Sequence, residues 1–208
     1  MSDPIAEASD AALDGRLIVL PTDTVHGIGT RPDDPDATAR LFEAKGRPRH
    51  LQLPVLVASL VQAREVGTFD ERAEKLAGRL WPGGLSMVLS RAEGSRTWDL
   101  GEDGETVAVR MPHHPLALAV LARTGPLAVT SANRSGAPTP SSCEGLREAF
   151  GDLVAVYLCA DAALAGAPST VVDLTRVQPR VLRAGAVTQT QIDEALRGDE
   201  GLRPETPR

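Results

Sequence analysis

The stretch Arg16-Leu17-Ile18-Val19-Leu20-Pro21-Thr22-Asp23-Thr24-Val25-His26-Gly27-Ile28-Gly29 decides the fold class. Its first five residues are a compact apolar run stopped by proline, the pattern of a buried strand. Polar residues and glycines follow directly, where an open α/β sheet places its ligands. The same unit recurs along the chain. Apolar runs at 53–57, 85–89, 106–110, 126–130, 153–158, 170–174 and 180–182 read as further strands. Between them lie helical patterns. Residues 35–45 carry Ala37, Leu41, Phe42 and Ala44 on one face, and 70–80 carry Ala73, Leu76, Ala77 and Leu80 behind an Asp70 cap. Residues 115–123, 141–150 and 190–196 read as helices too, and 1–14 as a polar tail or a short lead-in helix. Strands interleaved with helices predict a single α/β domain with a mixed sheet. It is expected over 13–197, with polar tails at 1–12 and 198–208.

Composition narrows the function. A chain of 208 residues, 42% hydrophobic and 24% charged, is that of a soluble globular protein with a core of its own. The net charge of −6 excludes general attraction to nucleic acid or anionic membrane, so any polyanion must be met by a local cluster of cations. Aromatics at 3% leave little for base stacking. No apolar run approaches the ~18 residues of a membrane span, and the acidic N-terminus is unlike a signal peptide. Cys143 and Cys159 lack metal-ligand spacing and are expected to be free thiols in a reducing cytosol. A cytoplasmic location is therefore expected. Of the 22 basic Lys and Arg residues, only two are lysines, Lys45 and Lys75.

Several signatures are missing. There is no P-loop, no serine elbow and no zinc spacing among the four histidines. Gly27-Ile28-Gly29 lacks the third glycine of a dinucleotide fingerprint. His113-His114, before Pro115, reads as a solvated turn.

Four polar clusters remain, each at a strand or helix end. Thr22–Gly29 places two threonines around an aspartate, although an Asx turn explains that equally well. Lys45-Gly46-Arg47-Pro48 is a short anion clamp, or cations relieving a helix dipole. Thr130–Gly136 offers hydroxyls and an amide suited to phosphate or ribose oxygens, or is a Ser/Asn-rich turn. Ser169-Thr170 enters a strand, and Arg183-Ala184-Gly185 follows the next one. With Arg110, four cations stand at element ends of an acidic protein. Convergence of Lys45, Arg47, Arg110 and Arg183 is what a nucleotide-activating site needs.

These residues also match a family. PTDTVHGIG, KGRP, WPGGL, VRMP, TSANRSG, STVVDLT and VLRAG occur in that order. They resemble the YrdC-like threonylcarbamoyl-AMP synthases, whose usual forms include PTDTVYGLG, KGRP, SANxSG and STVVD. The resemblance covers roughly residues 13–197 and is to the short, single-domain type. It implies a twisted mixed sheet with flanking helices and a large concave cavity. It implies a nucleotidyltransfer joining L-threonine, bicarbonate and ATP into threonylcarbamoyl-AMP, with Mg²⁺ on the ATP and pyrophosphate released. The product feeds tRNA threonylcarbamoyladenosine through other, downstream transfer proteins. By position, Lys45 and Arg47 are implied as catalytic. Arg47, Thr106, Ser131, Asn133, Thr139 and Arg183 are implied to hold ATP, and Thr24, Arg110, Ser169 and Thr170 threonine. The chain departs from the pattern at His26, where tyrosine is usual, at Leu51, where many members have lysine, and at Ala167-Pro168. Two other readings attach to the fold: a module binding double-stranded RNA, with at most weak RNA contact at this charge, and a carbamoyl-adenylate enzyme with another acceptor.

Overall fold

A computed structural model describes residues 3–159, 164 and 166–197 of the chain. The described strands are β1 (Leu17–Leu20), β2 (Gly27–Thr30), β3 (Val55–Leu56), β4 (Leu85–Ser90), β5 (Thr106–Arg110), β6 (Leu127–Ser131), β7 (Val154–Tyr157), β8 (Thr170–Asp173) and β9 (Arg180–Arg183). They form one sheet in the order β7-β1-β2-β6-β3-β5-β4-β8-β9. The pairs β1/β7, β3/β5 and β4/β8 are parallel and the other neighbours antiparallel, so the sheet is mixed. Flanking it are α1 (Pro4–Leu13), α2 (Pro35–Lys45), α3 (Leu60–Val66), α4 (Glu71–Leu80), α5 (Pro115–Thr124), α6 (Cys143–Phe150) and α7 (Gln189–Arg197). Among the described residues no helix is long and apolar enough to cross a membrane.

Local chemistry fixes the helix ends. The side chains of Asp3, Asp34, Asp70 and Ser142 each accept a first-turn backbone N–H. Pro4, Pro35 and Pro115 open their helices, where the missing N–H costs nothing. α2 stops at Gly46, whose φ of 58° is the left-handed conformation that glycine adopts without strain.

Alternation along the strands sorts the side chains into two layers. Leu17 and Val19 join one apolar cluster with residues of α2, α4, α6 and α7, while Ile18 and Leu20 join another with α1 and α5. The second layer is the smaller. α1 and α5 pack on each other, and β1, β3 and β6 supply most of the strand residues beneath them. Over β4, β5 and β8 the inward residues Leu85, Met87, Val107, Val109 and Val172 enter the first cluster. Their alternates Ser86, Ala108, Arg110 and Val171 face a cavity instead.

Several expectations are corrected. Of the two readings of 1–14, the lead-in helix holds and the polar tail drawn at 1–12 does not: Pro4–Leu13 form α1, where Ala8, Ala11 and Ala12 are fully buried. A larger side chain there would overpack, at a cost of about 1–3 kcal/mol. Gly27-Ile28-Gly29 is not a ligand loop but the strand β2. A Cβ on Gly29 would stand 2.5 Å from the Ala128 carbonyl oxygen, so the glycine serves the close approach of β6. α3 has no counterpart in the periodicity, although Ser59 caps it with Gln62 three residues on. Cys143 and Cys159 are not free thiols. They form a disulfide joining the start of α6 to the segment after β7, with their Cα atoms 5.8 Å apart. The pairing arises because α6 folds back onto β7, a contact that a 16-residue separation does not announce. The expected tail at 198–208 lies outside the described residues.

Candidate active site

A cavity of about 860 Å³ opens over the half-bare face of the sheet. Eight of the eleven residues singled out from the sequence line it. Thr24 and Arg110 stand together on one side, Ser169 and Arg183 on another. Arg47, Ser131, Asn133 and Thr139 complete the group.

The β1–β2 turn is organised by Thr22 and not by an Asx turn at Asp23. The Thr22 hydroxyl donates to the Val25 carbonyl at 2.6 Å and accepts the N–H groups of Thr24 and Val25. Asp23 is thereby free to turn to Arg110. The Arg110 guanidinium donates from Nε to the Gly83 carbonyl at 2.9 Å, from Nη1 to the Thr24 hydroxyl at 2.9 Å and from Nη2 to Asp23 Oδ1 at 2.7 Å. The same Asp23 oxygen accepts the His113 N–H. A guanidinium carries five N–H donors, so two stay available for a ligand.

The other two arginines are held by backbone. Arg183 donates from Nε and Nη2 to the Ser169 carbonyl, and from Nη2 to the Ser169 hydroxyl. That hydroxyl also pairs with Ser86 Oγ at 3.0 Å. Arg47 donates to the Leu51 and Gln52 carbonyls at 2.8 and 2.7 Å. Leu51 thus contributes its backbone carbonyl to the site, while the residue as a whole is 43% exposed. Burial lowers the pKa of all three guanidinium groups, and repulsion from Arg183 adds to the effect on Arg47 and on Arg110. Repulsion of Arg47 and Arg110 by Arg183 across one hollow is relieved by a bound anion.

Three of the expected residues stand off the cavity. Lys45 is 2% exposed, and its Nζ donates to the carbonyl oxygens of Ser131 and Asn133. Burial, then the neighbouring Arg47, pulls its amine down to about 8. Thr106 donates to Asp103 Oδ2 at 2.7 Å and to Gln52 Oε1 at 3.3 Å, and Gln52 is the wall residue. Thr170 is 1% exposed, with its hydroxyl bonded to both the N–H and the carbonyl of Val187. Each of the three braces a residue or segment beside the cavity. Asn133 turns its amide onto the Arg134 and Ala137 carbonyls, shaping the 133–139 loop, while Thr139 reaches its Oδ1 at 3.4 Å. Sequence reasoning missed Gln52 and Ser86, and gave Thr22 no role of its own within its cluster. For Ser86 the signal was its position between Leu85 and Met87 in a strand.

The wall therefore offers hydroxyl and guanidinium donors, while the Asn133 and Gln52 amides are turned onto backbone carbonyls. Among the described residues no three His, Cys, Asp or Glu side chains gather as a metal site. That donor set suits phosphate and carboxylate oxygens rather than a bare divalent cation.

A sequence model of the Sua5/YciO/YrdC family, described as telomere recombination, matches residues 10–185. The chain belongs to this family. Among Sua5/YciO/YrdC relatives, a Mycobacterium leprae protein is 46% identical over 193 residues, covering 92% of this chain and 87% of the relative; its name gives threonylcarbamoyl-AMP synthase as a provisional assignment. The threonylcarbamoyl-AMP synthase of Bacillus subtilis is 35% identical over 94% of this chain and 57% of its own length. Among solved Sua5/YciO/YrdC structures, Pyrococcus abyssi Sua5 complexed with L-threonine superposes with a TM-score of 0.85 at 35% identity, covering 94% of this chain and 58% of that one. Escherichia coli YciO gives 0.82 at 26% identity, over 90% and 92%. The chain thus spans nearly all of the mycobacterial relative and of YciO, and little more than half of the Bacillus and Pyrococcus proteins.

Proposed function

We propose that this chain is an L-threonylcarbamoyladenylate synthase: it condenses L-threonine with bicarbonate and transfers the adenylyl group of ATP to the resulting carbamate. The observation that carries the reading is the convergence of Arg47, Arg110 and Arg183 on one cavity among hydroxyl donors. Likeness to a Sua5 complexed with L-threonine supports it.

In this reading the two available N–H groups of Arg110 take the threonine carboxylate, and Thr24 and Ser169 frame the amino acid. Arg47 and Arg183 face the triphosphate, while Ser131, Asn133 and Thr139 meet the nucleoside and phosphate oxygens. Lys45, Thr106 and Thr170 act from behind as positioning residues. The neutral amine adds to the carbon derived from bicarbonate, with loss of water, giving a carbamate. A carbamate oxygen then attacks the α-phosphorus, the P–O bond to the β-phosphate breaks, and pyrophosphate leaves. Such a step depends on alignment and charge neutralisation, which rigid guanidinium groups supply. Magnesium, held by the nucleotide's own oxygens, would ease the charge on the triphosphate. Proteins downstream would pass the threonylcarbamoyl group to tRNA. A concave site lined with anion donors favours this chemistry over the RNA-binding reading.

The test is pyrophosphate release by the pure chain with ATP and magnesium. Release that requires both threonine and bicarbonate is expected. Release without threonine, or none at all, overturns the assignment.

A further inference from the structure

Ser86 stands in β4 between Leu85 and Met87, whose side chains are fully buried in the core on the other face of the sheet. Alternation therefore turns the Ser86 side chain to the cavity, where it forms part of the wall. The β4–β5 register pairs Met87 with Val109, which sets Ser86 across from Arg110. Such cross-strand neighbours keep their Cβ atoms about 5 Å apart. On the other side β8 pairs with β4, and the Ser169 hydroxyl lies 3.0 Å from the Ser86 hydroxyl. Ala108 and Val171, which share this face, are apolar and bond to neither hydroxyl. Thr24 reaches the same corner: its Cγ2 lies 3.7 Å from where a Cβ on Gly84, two residues before Ser86, would stand.

Each hydroxyl has one proton to give, so the protons here can be counted. Thr22 spends its proton on the Val25 carbonyl. Thr24 is therefore the donor in the Thr22–Thr24 bond, and its oxygen accepts from Arg110 Nη1. One Thr24 lone pair stays open. Arg183 Nη2 donates to Ser169 Oγ. A hydroxyl that accepts from a cation is polarised into a better donor, so the next bond runs head to tail, from Ser169 to Ser86. Ser86 ends this chain with a proton that no described residue accepts.

We propose that Ser86 is the specificity-determining residue for the side chain of the amino acid, donating to a hydroxyl on its β-carbon. An amino acid anchored by its carboxylate on Arg110 carries its β-carbon to this donor. A β-hydroxyl there accepts from Ser86 and donates to the open lone pair of Thr24. Valine has the shape of threonine, but it leaves both groups unpaired in a corner where Ser86 and Ser169 are only 6% and 7% exposed. A site built to bond a substrate hydroxyl rejects the isostere lacking it by up to about 10⁴-fold. The proposal rests on the synthase reading and deepens it, naming the residue that selects a β-hydroxy amino acid.

The test is kcat/KM for pyrophosphate release with threonine and with valine, in the wild type, S86A, and the isosteric pair S86T and S86V. The wild type is expected to favour threonine by about 100-fold or more. In S86A and S86V that ratio is expected to fall about tenfold or more, through loss of threonine turnover with valine turnover unchanged, and S86T is expected to restore it. S169A, which keeps the terminal donor, is expected to lose less of the ratio than S86A. An equal loss for both amino acids in S86A and S86V, or an unchanged ratio in whichever of them folds, overturns the role of Ser86. So does a wild type that uses threonine and valine equally. Wild-type protein whose pyrophosphate release needs no amino acid, or that releases none, overturns the synthase reading as well.

Discussion

Lys45 Nζ lies 2.6 Å from the carbonyl oxygen of Ser131, a residue 86 positions further along the chain. The same ammonium serves Asn133, so one buried charge pins the turn that presents Ser131 and Asn133 to the cavity. A guanidinium is planar and longer, and it cannot take the place of a compact ammonium between two carbonyls. K45R and K45M should each lower pyrophosphate release about 100-fold, the scale of an ångström-level misplacement. K75R should be silent in turnover and melting temperature, since Lys75 makes only an exposed pair with Glu71 four residues away.

Lys45 also makes stability depend on alkaline pH. Its amine falls from 10.5 to about 8 on folding, so the folded chain binds this proton more weakly than the unfolded chain. The penalty is complete below pH 8 and fades as pH rises to 10.5, a gain of about 3 kcal/mol. Urea midpoints at pH 7.5 and 10 should show the wild type gaining on K45M across that window. Parallel midpoints would remove Lys45 as the cause.

Asp23 and Arg110 form the least exposed ion pair on the cavity side, with side chains 20% and 7% exposed. Removing one partner of such a pair leaves the other uncompensated, at about 3 kcal/mol. D23N should therefore lower the melting temperature and raise the threonine KM, because Arg110 loses the anchor that aims it. R110K keeps the charge but loses the fork, and should raise the threonine KM at least tenfold with little change for ATP. Steady-state kinetics with each substrate varied separates the two effects.

The Cys143–Cys159 disulfide closes a loop of about 15 residues that contains α6 and β7. Such a loop contributes roughly 3 kcal/mol through the unfolded chain. C143S, C159S and dithiothreitol-treated wild type should share one lowered melting temperature, and dithiothreitol should leave both serine variants unchanged.

Much of the site was legible because strand ends advertise it. Arg110, Ser169 and Arg183 stand at β5, β8 and β9 ends, so their side-chain chemistry and their place in the sheet point the same way. The KxR pair was harder. Gly46 turns the chain left-handed between Lys45 and Arg47, sending one cation behind the 131–133 turn and the other onto the cavity wall. Nothing in the spacing distinguishes that from a clamp in which both point one way. Gln52 was invisible for a related reason: its place is set by Thr106 and Asp103, more than fifty positions away. The disulfide, too, depends on a tertiary contact. Ser86 was hidden by the strand reading itself, which took residues 85–89 as one apolar run and overlooked the alternate face.

That alternation has an evolutionary consequence. Leu85, Met87, Val107, Val109 and Val172 hold the sheet to its helices, while Ala108 and Val171 on the same strands floor the hollow. Mutations can accumulate at the second set without loosening the first. A lineage inheriting this sheet can drift toward a different amino acid or a different acyl acceptor while its folding stability stays nearly constant.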